Sequence, residues 1–202
     1  MNYLVHFLLA GDDEELRLGN LLGDFVKGRV ERFAHGGATD RLRTGIQMHR
    51  TIDAFSDRHP AVQRSKRILT PDYGRLSGVI VDVFYDHVLA RRWPDHDPRP
   101  LSVYTQDVYR TLRGNLHRMP DAVHPLINAM TRGDWLQQYA NQSGIERALL
   151  GMSVRRPVAA KIATAGRLLT SHFDDFAADF DQFLPDMRAH CREFLDERAG
   201  YA

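Results

Sequence analysis

The segment Val79-Ile80-Val81-Asp82-Val83-Phe84-Tyr85-Asp86-His87-Val88-Leu89 is apolar on nearly every side, yet it carries two aspartates and a histidine. A helix that is hydrophobic all round is buried, so this segment sits at the centre of whatever the chain folds into. Asp82 and Asp86 are four apart, and both carboxylates project from one face and repel each other unless something neutralises them. An isolated buried carboxylate costs several kcal/mol, so it is normally paired, hydrogen-bonded, protonated or metal-bound. Arg91 and Arg92 are poorly phased to reach both acids. A cation shared between helices is a natural solution.

Elsewhere apolar residues recur at three- and four-residue spacing with few alternating runs, which predicts an all-α chain. Helices are expected over 3–10, 14–30 and 40–58, the third capped by Thr39 or Asp40. Pro60 suits the first turn of a short fourth helix, and Thr70 or Pro71 opens a long apolar stretch reaching Trp93. Three prolines within 94–100 demand a loop. Helices then follow over 101–118, 121–132, 134–141 and 144–152, with a last stretch over 157–198 that Pro185 could interrupt. The chain shows no internal repeat and reads as one multi-helix domain spanning 1–202.

Composition limits the function. Lys plus Arg total 27 against 26 for Asp plus Glu, a net charge of +1 that argues against a dedicated nucleic-acid binder. No apolar run approaches the roughly 20 residues that cross a bilayer, so no membrane role is expected. One cysteine, Cys191, rules out a disulfide framework and a cysteine-only metal site, and a reducing, cytoplasmic setting is the default.

More charge falls where a core should be. Leu42, Ile46, His49 and Asp53 follow steps of four, three and four, so an inward stripe continues into polar chemistry, with Asp57 a turn further on. The alternative is that the stripe leaves the core there and its acids are solvated. Asn20 and Asp24 share one side of the second helix. Gly19, Gly23 and Gly28 cost about 1 kcal/mol each in a helix interior, and they suit close approach of a backbone, a ligand or a packed helix. Asp24, His49, Asp53, Asp82, Asp86 and His87, with His6 on the first helix, make a set of carboxylates and imidazoles that fits Mn, Fe, Zn or Mg. Each histidine alone reads as an ordinary core or surface residue; the cluster carries the signal. Arg155-Arg156-Pro157 lies where one helix should end and another begin, a place that could hold a phosphate or leave two arginines solvated. Asp174, Asp175, Asp179 and Asp181 read as a solvated face, and Phe173, Phe176, Phe180 and Phe183 as a core stripe.

At these residues the sequence resembles the acyl carrier protein phosphodiesterases. The likeness runs through Met1-Asn2-Tyr3-Leu4-Val5-His6, Asn20-Leu21-Leu22-Gly23-Asp24-Phe25-Val26-Lys27-Gly28 and Gly45-Ile46-Gln47-Met48-His49-Arg50-Thr51-Ile52-Asp53. It continues through Asp82-Val83-Phe84-Tyr85-Asp86-His87-Val88-Leu89-Ala90-Arg91-Arg92-Trp93 and Gly151-Met152-Ser153-Val154-Arg155-Arg156-Pro157, and fades at Phe183-Leu184-Pro185-Asp186-Met187. The resemblance implies hydrolysis of the phosphodiester that joins 4′-phosphopantetheine to a serine of holo-acyl carrier protein, a step tied to fatty acid biosynthesis. It also implies manganese dependence and a distant likeness to the helical HD phosphohydrolases. The adjacent pair here is Asp86-His87, the reverse of the order that names that superfamily.

A divalent cation held by some of Asp24, His49, Asp82 and Asp86 would acidify water and polarise a phosphoryl oxygen. Asp53 or His87 would orient the water or protonate the leaving alkoxide. Arg50, Arg155 or Arg156 would neutralise charge on the phosphoryl oxygens. Acyl carrier proteins are acidic, which makes Arg91, Arg92, Arg155 and Arg156 candidates for docking. Two other readings use the same residues: an HD-like phosphohydrolase of a nucleotide or small phosphodiester, and a non-catalytic helical module that binds a carrier protein.

Overall fold

The computed structural model describes residues 1–155 and 157–199, without the side chains of residues 155, 157–159 and 199. Its α-helices are α1 (Tyr3–Ala10), α2 (Glu14–Leu22), α3 (Asp40–Ser56), α4 (Pro60–Tyr73), α5 (Ser77–Arg91) and α6 (Leu101–Gly114), followed by α7 (His124–Arg132), α8 (Trp135–Gln138), α9 (Gln142–Arg155), α10 (Gly166–Ser171) and α11 (Phe173–Ala199). Short 3-10 turns join several of them, and the described residues contain no strand. No helix among them is long and apolar enough to cross a membrane.

The apolar segment is the hub the sequence demanded. Ile80, Val81, Val83, Phe84, Tyr85, Val88 and Leu89 are fully buried, and α5 packs against α1, α4, α9 and α11. Three of the four phenylalanines of the expected stripe, Phe176, Phe180 and Phe183, are also fully buried. Phe84 meets Phe176 edge-on at 5.0 Å and Tyr85 meets Phe180 at 5.2 Å, geometry that adds to simple burial. The helix α2 lies unusually close to α3. A Cβ on Gly19 would come 2.6 Å from the Cα of Gly45, and one on Gly45 would come 2.9 Å from the Cα of Gly19, so no other residue fits at this crossing.

Several boundaries differ from the sequence expectation. The second helix stops at Leu22, and Gly28 adopts a φ of +76°, which a right-handed helix cannot contain. The carbonyls freed in this turn are taken by Arg50, whose Nη1 donates to Gly28 O at 2.8 Å and Nη2 to Val26 O at 2.7 Å. The fourth helix passes through Pro71 and ends at Gly74, where φ is +54°. A proline in the last turn removes only one backbone hydrogen bond. Likewise α11 runs through Pro185 unbroken, while the segment before it is divided into a 3-10 stretch (Pro157–Thr164) and α10. Asp179 is buried, not solvated as its neighbours suggested, because Arg64 and Ser65 of α4 reach its two carboxylate oxygens at 2.7 and 2.8 Å.

Candidate active site

The site begins with an unusual helix cap. The first amides of a helix have no partner within it, and no side chain of its own caps α1. Asp86 of α5 does so instead: Oδ2 accepts Leu4 N–H and Oδ1 accepts Val5 N–H, each at 2.9 Å. Burial pushes this fully enclosed carboxyl up to about 7, against the pull of the two amides. The cap fixes α1 on α5 and so fixes His6, the next residue along.

His6 is buried, and burial pushes its imidazole down to about 4, so it is neutral at neutral pH. Its tautomer follows from its neighbours. Asn20 Nδ2 donates to Leu16 O at 3.1 Å, which directs Asn20 Oδ1, an acceptor, to His6 Nδ1 at 3.0 Å. Nδ1 therefore carries the proton, and Nε2 presents a bare lone pair. That lone pair lies 3.4 Å from Asp53 Oδ1 and has no hydrogen bond of its own. Two electron-rich atoms this close repel unless a proton or cation lies between them.

His49 stacks on His6 with ring centroids 4.3 Å apart and planes 12° from parallel. Its Nε2 is 3.2 Å from Asp53 Oδ2, one helical turn on, and 3.6 Å from Asp24 Oδ1. Burial opposes a charge on this ring, but the two carboxylates outweigh it and push it up to about 9. Against the same burial, the hydrogen bond from His49 and the charge of the Met1 amino group hold Asp53 well below the usual carboxylate range. Gly23 makes the ring's position possible, since a Cβ there would overlap His49 Cγ. The Met1 amino group lies 2.8 Å from Asp53 Oδ1 and 3.6 Å from Asp82 Oδ2. Asp82 is half-buried, and burial raises its carboxyl.

His6, His49 and Asp53 each offer a ligand atom within 4.8 Å of the others. A buried neutral imidazole oriented by an amide on its far nitrogen, a second imidazole and a carboxylate together fit a divalent metal ion. His6, Asp24, His49 and Asp82 also line a cavity of about 480 Å³, whose other walls include Leu76, Val79, Val83, Trp135 and Met152.

Of the residues singled out from sequence, Asp24, His49, Asp53 and Asp82 come together. Asp86 and His87 do not join them. Asp86 spends both oxygens on α1, and His87, about 100° further around α5, points its Nδ1 to Tyr139 O at 2.6 Å with Phe173 edge-on to its ring. Arg50 is occupied by the carbonyls of the turn after α2. Arg92 pairs with Asp181 at 2.6 Å and Arg91 lies over the Phe173 ring at 4.6 Å, both at the end of α5 remote from Leu76 and Val79. Arg156 and the side chain of Arg155 lie outside the described residues. Sequence reasoning named His6 beside the cluster but kept it and Asp53 out of the final ligand set, and it gave Asn20 no role as an orienting partner. The available signal was a histidine within the otherwise apolar stretch 3–10.

Fold and site together define a helical protein whose imidazoles and carboxylates, at the wall of a cavity, are compatible with a divalent ion. Comparison with known proteins is more specific. The model of the acyl carrier protein phosphodiesterase family matches residues 1–187, and the chain belongs to that family. Relatives described as acyl carrier protein phosphodiesterase include one from Pectobacterium atrosepticum, 32% identical over 188 residues that cover 93% of this chain and 95% of the relative. One from Serratia proteamaculans is 31% identical over 194 residues, 96% of this chain and 98% of the relative. No solved structure matches the chain.

Proposed function

We propose that this chain is a metal-dependent phosphodiesterase that removes 4′-phosphopantetheine from holo-acyl carrier protein, leaving the apo protein. The observation that carries the reading is the bare His6 Nε2 facing Asp53 beside a second imidazole, on a cavity of a size usual for small-molecule sites, in a chain that aligns with this family over residues 1–187.

His6 Nε2, His49 and Asp53 would hold the ion, Mn2+ by the family resemblance, with Asp24 and Asp82 in reach. When bound, a divalent ion supplies polarisation of a phosphoryl oxygen and acidification of water. Asn20 keeps His6 in the tautomer that can ligate. Asp82, raised by burial and lining the cavity, is suited to take a proton from the attacking water at its carboxylate, while the leaving serine oxygen on the far side of phosphorus takes its proton from water. Arg155 and Arg156 follow the cavity-lining Gly151 and Met152 in the chain and are assigned to the phosphoryl oxygens. A cytoplasmic setting suits the substrate.

Intact-mass analysis of holo-acyl carrier protein incubated with the chain tests this. Loss of the whole phosphopantetheine group with manganese, and no loss with chelator, is the expected result. No mass change under either condition sinks the proposal, and turnover of small phosphodiesters alone would move it to the HD-like alternative.

A further inference from the structure

Two of the large apolar side chains left in solvent share a face of α9, which lines the cavity with its neighbouring face. Among the described residues the large exposed hydrophobics are Val79, Val103, Leu150 and Val154, at 40%, 54%, 54% and 75%. Val79 lines the cavity from α5. Leu150 and Val154 are four apart on α9, so they share one face, and the neighbouring face of that helix gives Arg147, Ala148, Gly151 and Met152 to the cavity wall. Such a pair forms a continuous apolar strip on the exposed side of a helix whose neighbouring face lines the cavity, a place where an interaction surface can form.

The charges beside it are unevenly satisfied. Arg147 lines both the cavity and a shallow depression formed with Leu150, Ala163 and Arg167, and among the described residues the one hydrogen bond of its side chain is Nη2 to Gln138 Oε1 at 2.9 Å. Arg75 is exposed, its side chain has no hydrogen bond or ion pair among the described residues, and it immediately precedes the cavity-lining Leu76. The acids nearby are already engaged: Glu146 accepts from Gln142, while Asp72 pairs with Arg167 at 3.4 Å and its carbonyl accepts from Lys161. The rim therefore offers two guanidinium groups without an acidic partner among the described residues, beside an apolar helix face.

We propose that the face of α9 bearing Leu150 and Val154, flanked by Arg147 and Arg75, is the docking surface for an acidic helical carrier protein. This rests on the phosphodiesterase reading above. In that reading the reacting phosphodiester is tethered to a serine of the partner, so the partner must stand at the rim of the cavity that holds the cluster. The unpaired arginines complement an acidic surface, and the apolar pair at helical spacing fits between the side chains of a helix laid across it. Arg91 and Arg92 are far from this rim and take no part.

The test compares the double variant Leu150→Asp/Val154→Asp and, separately, Arg75→Glu with the unaltered chain. Each is assayed with manganese on holo-acyl carrier protein and on bis(p-nitrophenyl) phosphate, and direct binding of holo-acyl carrier protein is measured by fluorescence anisotropy. Each substitution should raise KM for the protein substrate about tenfold or more and weaken binding in parallel, with kcat and small-ester turnover unchanged. Unchanged KM and binding in both variants overturns the proposal, as does equal loss on the two substrates in both. A change from dimer to monomer in the double variant with unaltered KM would assign the face to a second copy and overturn it too. Should the unaltered chain bind holo-acyl carrier protein without cleaving it, the phosphodiesterase reading fails while weakened binding in the variants still supports docking. No binding by the unaltered chain overturns the docking surface itself.

Discussion

Two acidic networks lie against α5, and they differ in how fully they are satisfied. In the first, Asp179 accepts from Arg64 Nε at 2.7 Å and Ser65 Oγ at 2.8 Å, and Ser65 Oγ lies 3.0 Å from Tyr85 OH. Every contact has ordinary hydrogen-bond length, and the network ties α4, α5 and α11 together. In the second, Asp53 Oδ1 accepts from the Met1 amino group at 2.8 Å, but Asp24 and Asp53 face imidazole nitrogens at 3.2 to 3.6 Å, and among the described residues His6 Nε2 and His49 Nδ1 have no hydrogen bond. A buried carboxylate does not by itself mark a functional site. Acceptor capacity left over beside oriented imidazoles does, because a protein that needed only stability would have filled it.

The comparison can be broken at several points. The largest expected effect is on catalysis: Asp53→Asn should lower turnover of holo-acyl carrier protein at least ~10³-fold, about 4 kcal/mol of transition-state stabilisation. Its helical circular dichroism should match that of the unaltered chain, and retained activity would remove Asp53 from the site. Asp179→Asn should do the reverse. Asn keeps one acceptor oxygen and sets an NH2 against Arg64 or Ser65, which should cost about 2 kcal/mol by urea unfolding, with kcat unchanged. Lost turnover at full stability would erase the distinction between the networks.

Gly23→Ala tests how tightly the second network is built. Its Cβ would occupy the space of His49 Cγ, so the ring must move, at about 1–3 kcal/mol in stability and about tenfold in activity. Gly28→Ala meets no neighbouring atom and should show only the strain of its positive φ, about 1 kcal/mol. The smallest effect is on pH dependence. In metal-free protein the His49 imidazole is raised from 6.5 to about 9. Its proton contributes stability that is fully present below pH 6.5 and lost as pH rises through about 9. The stability difference between the unaltered chain and His49→Gln, measured with chelator, should narrow across that window; a constant difference would mean the aspartates do not hold that proton.

Much of the fold was legible because its signals are local. The limits of α1 and the cap of α3, where Thr39 Oγ1 accepts Leu42 N–H, fall where periodicity and capping residues put them. The end of α2 was not legible: Gly19, Gly23 and Gly28 look alike in the sequence. One admits the α3 backbone, one admits the His49 ring and one turns the chain, and only the neighbours distinguish them. Asp179 looked solvated because three nearby aspartates are exposed, and its partners lie more than a hundred residues away.

Helical spacing determined that an apolar α5 would lie at the centre with two carboxylates on one face, and that His49 and Asp53 would share a stripe. Both follow from 3.6 residues per turn and the cost of burying charge. Tertiary structure decided what each acid does. Asp82 faces the cavity beside Asp53, whereas Asp86, one turn further, meets the open amides of α1 and becomes its cap. Which donors stand opposite a carboxylate depends on how separate helices cross, and that is set by packing, which no pattern within a single helix records.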